Sequence, residues 1–339
     1  MKKRGFIASV VFLIVFMAFY FLRDNQPAKG IYQRDEGTIF GTIYHISYEY
    51  PENLHQQIKE ELKRFDASMS TFNKNSIISR INRNDSTVEA DEWFIRVFNT
   101  GRDVSAATEG SFDMTVAPLV NAWGFGFKKS DQVTPALIDS IRSFVGQEKI
   151  RLAGKKVIKT DLRVMLDASA IAKGYACDVI GELLTKKGIR NYMVEIGGEV
   201  SAKGKNTSGK CWRIGINKPI EDQSASAGEI QEIINLCGGG MATSGNYRNF
   251  YYKEGKRYAH TIDPRTGYPV EHSLLSATVI APSCMLADAF ATAFMVLGLD
   301  KSMEIVEKNP EIDAYFIYAD GSEENAVKMS KGFEQYMKR

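Results

Sequence analysis

The segment from His260 to Thr292 constrains the fold of this chain more than any other, because it joins a tight turn, a strand and a helix. Asp263-Pro264 is a pair that starts turns, and Thr266-Gly267 allows a positive φ. The apolar run Leu275–Ile280 is typical of a buried strand. The residues from about Ser283 to Gly298 are predicted to form a helix.

Two polar residues of the predicted helix, Asp288 and Thr292, lie on one face because they are four residues apart. A carboxylate and a hydroxyl are hard oxygen ligands, which Mg²⁺ takes together with phosphate oxygens and water. The alternative interpretation is an ordinary, partly exposed helix face, since polar pairs at this spacing are common. His260, in the polar loop before the helix, could hold an imidazole at the rim of a cleft and take a proton there.

The N-terminus carries a candidate membrane anchor. Three basic residues precede the uncharged run Phe6–Leu22, which as a helix would span about 25 Å. Because basic flanks stay in the cytoplasm, we expect residues 1–5 inside, residues 6–22 as a single-pass signal anchor, and the rest of the chain on the far side of the membrane. A cleaved signal peptide is the alternative, but no A-x-A site follows the run. Residues 23–35 are predicted to be a linker and residues 36–339 the folded domain.

The charge balance bears on the class of partner, and the cysteine content bears on disulfide formation. The chain has 43 Lys and Arg against 41 Asp and Glu, so no basic field indicates a nucleic-acid partner. The four cysteines, Cys177, Cys211, Cys237 and Cys284, are widely spaced and form no C-x-x-C motif. We expect buried free thiols, although a disulfide is possible outside the cytoplasm.

Periodicity predicts a mixture of helices and strands. Helical spacing or capping residues predict helices over Leu54–Met69, around Trp93–Val104, from Thr134-Pro135, from the Ala168–Tyr175 turn to Lys187, and over Leu299–Lys308. Alternating or apolar runs predict strands over Glu36–Tyr50, Val157–Ile158 paired with Val164–Leu166, Tyr192–Ile196, Trp212–Asn217, Glu229–Leu236 and Ala314–Tyr318. Gly238–Gly245 is predicted to be a flexible loop, either a plain connection or one that approaches a ligand closely.

Two further segments are candidates for a ligand site. Asp167 and the small-residue turn Ala168–Gly174 stand between a predicted strand and a helix, which can direct backbone N–H groups at an anion. The chain lacks a G-x-G-x-x-G fingerprint there. The aromatic segment Asn121–Phe127 either lines a site or fills the core. Together with His260, these features fit a pyrophosphate-containing, nucleotide-like ligand bound with Mg²⁺.

The order of several motifs resembles the ApbE-type flavin transferases, which are FAD:protein FMN transferases. The resemblance covers about residues 36–330. It rests on Thr38–Thr42, Met69–Phe72, Gly110–Thr115, Leu119–Gly126, Asp167–Tyr175 with Asp178, Gly197-Gly198, Thr243–Arg248, His260–Pro269 and Asp288–Thr292. It implies an α+β fold of two packed α/β lobes with the flavin site in the cleft between them.

The resemblance also implies a reaction and its residues. FAD is the substrate, and FMN is joined by a phosphoester bond to a Thr or Ser of an acceptor protein while AMP leaves. The acceptors it implies are flavin-carrying subunits of Na⁺-pumping NADH:quinone oxidoreductases or Rnf-type complexes. The implied metal ligands are Asp288, Thr292 and the Ala170 carbonyl, with His260 as the base and Asp288 as a catalytic residue. Implied flavin-nucleotide contacts come from Phe40, Phe72, Ser111, Phe112, Asp113, Asp167, Lys173 and Ile262.

Two positions depart from the family pattern, and two other functions stay open. Phe40 replaces a common Met, and Lys173 stands where some relatives carry Glu, which affects contacts on the adenine side. The first alternative function is a Mg²⁺-dependent FAD pyrophosphatase, in which water replaces the acceptor hydroxyl. The second is a membrane-tethered flavin-binding protein without catalysis, which the presence of His260, Asp288 and Thr292 disfavours.

Overall fold

An eight-stranded antiparallel sheet forms the centre of the protein. The computed structural model describes residues 30–125, 133–219, 229–246, 250–253, 256–321 and 325–338. The strands in these residues are β1 (Tyr32–Ile39), β2 (Thr42–Glu49), β3 (Ile150–Ala153), β4 (Lys156–Lys159), β5 (Tyr192–Ile196), β6 (Glu199–Lys203), β7 (Trp212–Asn217), β8 (Ile230–Leu236), β9 (Gly238–Gly245), β10 (Phe250–Lys253), β11 (Lys256–Ala259), β12 (Leu274–Ala281), β13 (Asp313–Tyr318) and β14 (Ala326–Met329). The main sheet has the order β1-β2-β5-β6-β9-β12-β13-β14, and β3–β4, β7–β8 and β10–β11 form separate hairpins.

All six predicted helices are present in the described residues, together with three short helices that were not predicted. The helices are α1 (His55–Met69), α2 (Ile77–Asn82), α3 (Glu92–Ala107), α4 (Ala117–Ala122), α5 (Pro135–Arg142), α6 (Ala172–Lys186), α7 (Cys284–Leu297), α8 (Leu299–Lys308) and α9 (Glu334–Met337). Of these, α2, α4 and α9 were not predicted. The predicted N-cap of α5 is confirmed, because the Thr134 side chain accepts a hydrogen bond from the Leu137 N–H. Ser283 caps α7 in the same way through the Leu286 N–H.

Strand β13 shows how the sheet separates two hydrophobic cores. Ala314 and Phe316 belong to the larger core under the helices, whereas Tyr315 and Ile317 belong to the smaller one. Because successive strand residues point to opposite faces, the two cores lie on opposite sides of the sheet. The smaller core packs under the β7–β8 hairpin and the C-terminal residues.

The α+β prediction is confirmed. The two-lobe prediction is correct only in part, since both cores share one continuous sheet.

The glycine-rich segment predicted to be a loop is a central strand of the sheet. β9 pairs with β6 on one side and with β12 on the other. A Cβ atom at Gly240 would lie 2.1 Å from the Cys284 backbone nitrogen, so glycine lets the start of α7 pack directly on the strand. The loop prediction was wrong because it took glycine as a sign of flexibility, whereas here glycine permits close backbone approach.

The predicted pairing of Val157–Ile158 with Val164–Leu166 is also wrong. β4 pairs with β3 instead. Val164 and Leu166 are fully buried but form no strand. The Asn82 side chain satisfies the Leu166 backbone, donating to its carbonyl at 2.8 Å and accepting from its N–H at 2.7 Å. An apolar segment can therefore be buried without sheet pairing when a side-chain amide meets its backbone groups.

The two ends of the β7–β8 hairpin are joined by a Cys211–Cys237 disulfide, and Cys177 and Cys284 are buried free thiols. The prediction of free thiols is thus wrong for one pair. The cysteines are 26 residues apart, and the pairing of Trp212 with Leu236 brings them together. Their spacing did not reveal this, because the register of the hairpin has to be known first.

Alkylation of the unfolded, unreduced protein should label two thiols per chain, and alkylation after reduction should label four. The substitution Cys211→Ser should lower the free energy of unfolding by about 3 kcal/mol, since a loop of this size is no longer closed in the unfolded chain. Adding reductant should then cause no further loss of stability in the variant. Four labelled thiols before reduction would show that the bond does not form.

Among the described residues, no helix is long and apolar enough to cross a membrane. The predicted anchor, residues 6–22, lies outside the described residues, as do residues 126 and 127 of the aromatic segment.

Strand β1 begins at Tyr32, inside the segment 23–35 that we predicted to be a linker. The folded part therefore starts slightly earlier than residue 36.

Candidate functional site

A pocket on the helical side brings together three of the predicted flavin-site residues. Phe40, Phe72 and Lys173 line it. Ser169 and Ala172, which flank the predicted carbonyl ligand Ala170, line the same pocket. Phe72 is 77% exposed, so it lies at the solvent-facing side of the pocket. An apolar pocket with one cation beside it suits a planar ring that carries an anionic group.

Phe40 reaches this pocket from the tight turn between β1 and β2. Phe40 and Gly41 both have positive φ, at 52° and 74°, which is rare for a bulky residue such as phenylalanine. The Phe40 ring packs edge-on against Phe65 of α1, with ring centroids 5.8 Å apart. This core contact offsets the conformational cost of the turn, so the ring is fixed before any ligand binds.

Helices α6 and α7 meet at Gly174, and this contact positions Asp288. A Cβ atom at Gly174 would lie 2.3 Å from the Cys284 carbonyl oxygen and 2.7 Å from the Asp288 Cβ. The Gly174 N–H donates to Asp288 Oδ2 at 2.9 Å. Asp288 is 2% exposed, so its carboxylate is fixed in the contact between the two helices.

Three charged side chains lie around that contact: Glu199 and Asp288 are buried, and Lys173 is half-buried. Lys173 Nζ lies 2.5 Å from Glu199 Oε1. Burial raises the pKa of the Asp288 carboxyl, against the opposing effects of the Lys173 charge and the Gly174 N–H. Burial also raises the pKa of the Glu199 carboxyl, to about 7. For Lys173, burial lowers the pKa, but the attraction of Asp288 and Glu199 outweighs it and the net shift is upward.

Glu199 is a site residue that the sequence analysis missed. It is 4% exposed and is the first residue of β6. The only signal in the sequence was the position of Glu199 directly after Gly197-Gly198, one of the motifs on which the family resemblance rests. A glutamate at the start of a strand is ordinarily solvated, so sequence alone gave no reason to bury it.

Asp178 supports α7 from the side of α6. Its carboxylate accepts hydrogen bonds from the Cys284 N–H at 3.0 Å and the Met285 N–H at 2.8 Å. These are the first two residues of α7, where N–H groups lack partners within the helix. Burial raises the pKa of Asp178 to about 6, although both N–H groups oppose the shift. Asp178 thus holds the start of the helix that carries Asp288 and Thr292.

The end of β9 and the residue that follows it contact Thr292 and Thr261, the neighbour of His260. The Thr292 hydroxyl lies 3.2 Å from the Ser244 hydroxyl. Two residues further, Asn246 accepts a hydrogen bond of 2.5 Å from the Thr261 hydroxyl, next to His260. The His260 ring packs edge-on against Phe125, with centroids 6.3 Å apart.

The Ser111–Thr115 turn lies beside Asp167. The Asp167 N–H donates to the Met114 carbonyl at 2.7 Å. The Asp113 carboxylate accepts from the Thr115 N–H and hydroxyl, both at 2.7 Å, and the Ser111 hydroxyl donates to the Thr108 carbonyl at 2.6 Å. Ser111 and Phe112 are buried. The turn is thus held by its own hydrogen bonds, next to the segment that leads from Asp167 to Lys173.

The predicted turn after His260 is confirmed. Gly267 has φ +81°, and its N–H donates to the Asp263 carbonyl at 2.7 Å. The Trp123 indole N–H donates to the Gly267 carbonyl at 2.8 Å, so this part of the aromatic segment fixes the turn. Ile262 is 4% exposed and forms a β-bridge with Pro269. Ile262 is thereby held close to His260 in a rigid segment.

The oxygen groups around α7 suit a divalent cation whose coordination is completed by ligands that the protein does not supply. Asp288 supplies a carboxylate, and the Thr292 and Ser244 hydroxyls lie side by side one turn further along the helix. Within the described part of the chain, no three acidic, histidine or cysteine side chains form a metal-binding group. A closed protein cage is therefore not present there, whereas Mg²⁺ commonly binds one or two carboxylates plus phosphate oxygens and water.

The chain is similar in sequence and fold to known flavin transferases. The model of the ApbE family matches residues 40–316. The FAD:protein FMN transferase of Haemophilus influenzae is 42% identical over 289 residues, which cover 80% of this chain and 83% of the relative. The FAD:protein FMN transferase of Vibrio cholerae is 37% identical over 322 residues and covers 92% of each chain.

Solved structures give the same result. The flavin transferase ApbE from Vibrio cholerae superposes with a TM-score of 0.80 at 36% identity, covering 91% of this chain and 99% of that one. The apo form of the Pseudomonas stutzeri flavinyl transferase ApbE gives a TM-score of 0.81 at 32% identity, covering 91% and 97%. With the family motifs matched in order and the fold shared over nine-tenths of its length, this chain belongs to the ApbE family of FAD:protein FMN transferases.

Proposed function

We propose that the protein transfers FMN from FAD to a Thr or Ser hydroxyl of an acceptor protein, in a Mg²⁺-dependent reaction that releases AMP. The observation that carries this proposal is the placement of Asp288, Lys173 and the Phe40–Phe72 pocket around one contact between α6 and α7. The curated relatives are named FAD:protein FMN transferases, which supports FAD as the substrate. The chemistry of these side chains supports the binding of a diphosphate beside a planar ring.

Asp288, Thr292 and the Ala170 carbonyl are the proposed metal ligands. When bound, Mg²⁺ offsets negative charge on the diphosphate and on the departing AMP. Asp288 suits this position because it is held at one oxygen by the Gly174 N–H. Thr292 is half-buried and lies beside Ser244, so a second neutral oxygen is close to it.

The pocket walls are proposed to orient the flavin nucleotide. Phe40 and Phe72 offer ring faces, and Lys173 places a cation where the pocket meets the metal site. Ser111, Phe112, Asp113, Asp167 and Ile262 are the further contacts that we propose. Of these, Ser111, Phe112 and Ile262 are largely buried, so they act mainly by shaping the site.

His260 is proposed as the base that takes the proton of the acceptor hydroxyl. The hydroxyl oxygen then forms a bond to the phosphorus of the FMN half, and the bond between that phosphorus and the AMP oxygen breaks. A hydroxyl is a weak nucleophile unless a base removes its proton during attack. His260 precedes Thr261, which donates to Asn246 just after β9, and Thr292 contacts Ser244 two residues before Asn246.

Incubation with FAD, Mg²⁺ and a flavin-carrying subunit of a Na⁺-pumping NADH:quinone or Rnf-type complex tests the reaction. We expect the acceptor mass to rise by one FMN group at a single Thr or Ser, with one AMP released per modified acceptor. Replacing that acceptor residue by Ala should prevent modification. Conversion of FAD to free FMN and AMP, with the acceptor unmodified, would instead support the pyrophosphatase alternative.

We further propose that residues 6–22 anchor the protein in a bacterial inner membrane with the catalytic domain in the periplasm. The basic residues before this run and the Cys211–Cys237 disulfide both support the orientation, since structural disulfides persist in oxidising compartments. Such a tether would keep the domain close to membrane-bound acceptors.

A protease added to spheroplasts should digest the folded domain, because the proposed orientation exposes residues 36–339 on the outer side of the membrane. The loss of full-length protein is followed by immunoblot, with a cytoplasmic protein as the control for intact cells. Full protection of the domain, with digestion only after lysis, would place the domain in the cytoplasm and overturn this topology.

A further inference from the structure

A half-buried lysine beside the proposed metal site is held by a carboxylate that has no other assigned role. Lys173 precedes Gly174, whose N–H binds Asp288, so the lysine and the aspartate are neighbours. The Lys173 ammonium nevertheless pairs with Glu199 at 2.5 Å. Its side chain is 33% exposed, whereas that of Glu199 is 5% exposed. The lysine can therefore reach the pocket, but the glutamate stays inside the protein.

Glu199 is held rigidly by the turn before it. Gly197 and Gly198 both have positive φ, and Ile196 pairs with Glu199 across this two-residue turn. The Gly197 N–H donates to the Ile43 carbonyl at 3.0 Å. The Cys177 thiol donates to the Glu199 carbonyl at 3.2 Å, which ties the residue to α6 as well. The backbone of Glu199 is thus fixed by the turn and by α6, and its carboxylate pairs with Lys173.

The second carboxylate oxygen of Glu199 distinguishes the Lys173–Glu199 contact from an ordinary ion pair. Among the described residues, Glu199 Oε2 is buried and has no hydrogen-bond partner. A buried carboxylate with one oxygen unsatisfied costs free energy and is retained where it serves a purpose. Lys173, Glu199 and Asp288 together carry a net charge of −1 when all three are ionised. One negative charge therefore remains for a cation at this position.

We propose that Glu199 is a positioning residue that holds the Lys173 ammonium away from Asp288, so that Asp288 stays available to a divalent cation. This inference rests on the proposed metal site. Without Glu199, the ammonium is left with Asp288, which the adjacent Gly174 N–H binds and whose charge already raises the pKa of Lys173. The lysine would then neutralise the metal's one charged protein ligand. Groups that orient a metal ligand typically change metal affinity 10- to 100-fold when they are removed.

Metal binding to the acceptor-free, FAD-free protein tests this proposal. Mn²⁺ serves as the probe, and its free concentration is followed by electron paramagnetic resonance. Glu199→Gln should raise the Mn²⁺ Kd about 10- to 100-fold. Lys173→Met should not raise it. The double variant Lys173→Met with Glu199→Gln should bind Mn²⁺ within about threefold of the wild type, because the competing ammonium is gone.

Restoration in the double variant is the decisive result, since a general structural role of Glu199 would not be repaired by removing Lys173. Circular dichroism and thermal unfolding check that each variant is folded. Glu229→Gln, which removes a carboxylate from the exposed Lys218–Glu229 pair, controls for the loss of one charge. An unchanged Kd in Glu199→Gln, or a weak double variant, overturns the proposal. Failure of the wild type to bind Mn²⁺ would instead refute the proposed metal site itself, and the inference with it.

Discussion

Replacing Asp288 with Asn should lower FMN transfer by at least about 10³-fold at ordinary Mg²⁺ concentrations. Asn keeps the size of the side chain and an oxygen that can accept the Gly174 N–H, so the α6–α7 contact should persist. What is lost is the one charged protein ligand of the proposed metal site. A bound metal contributes several kcal/mol of charge stabilisation in the transition state, and each 1.4 kcal/mol is about tenfold in rate. Transfer is measured as the rate of acceptor modification.

Asp300→Asn is the matched control, because Asp300 is an exposed carboxylate in the first turn of the next helix, α8. The control should transfer FMN at the wild-type rate. Raising Mg²⁺ should recover part of the activity of Asp288→Asn if the hydroxyl and carbonyl ligands remain. A variant that transfers FMN at the normal rate, with the normal Mg²⁺ dependence, would show that Asp288 does not hold the metal.

The sequence was sufficient to predict the helix and the turn that hold the candidate site residues. It was not sufficient to predict the groups that pack around them. Helix α7 was predicted from its residue pattern alone, which is a local signal, and the structure adds Ser283 as its N-cap. The turn around Gly267 was predicted for the same reason, from Asp-Pro and Thr-Gly. Phe40, Phe72 and Lys173 were carried over from the family motifs, and they line one pocket. Local chemistry and ordered motifs were sufficient for these features.

Features that depend on distant contacts were missed. The glycines of β9 permit close packing of α7, and this reason appears only when Gly240 is seen against Cys284. Glu199 is buried because Lys173 lies opposite it after folding. The Cys211–Cys237 bond follows from the register of the β7–β8 hairpin. In each case the deciding partner is more than twenty residues away, so no window of sequence contains both groups.

The substitution His260→Ala should lower the transfer rate by about 10²–10⁴-fold, the usual contribution of a general base. The affinity for FAD should change little, because the imidazole is proposed to act on the acceptor hydroxyl. In the wild type, the rate should rise with pH as the imidazole loses its proton, because only the neutral ring can accept the proton of the hydroxyl. The variant should lose this acidic limb. Rates are measured per folded molecule across the pH range, with FAD binding followed by fluorescence.

His45→Ala is the matched control, since His45 is an exposed histidine of β2 paired with Glu195, and it should leave the pH profile unchanged. The competing explanation is that His260 only fixes the turn at Asp263. That turn is held by other groups, among them the Trp123 indole and the backbone bond between Gly267 and Asp263, so it should survive the substitution. If folded His260→Ala transfers FMN at the wild-type rate with the same pH dependence, His260 is not the base and the proton must leave the acceptor hydroxyl by another route.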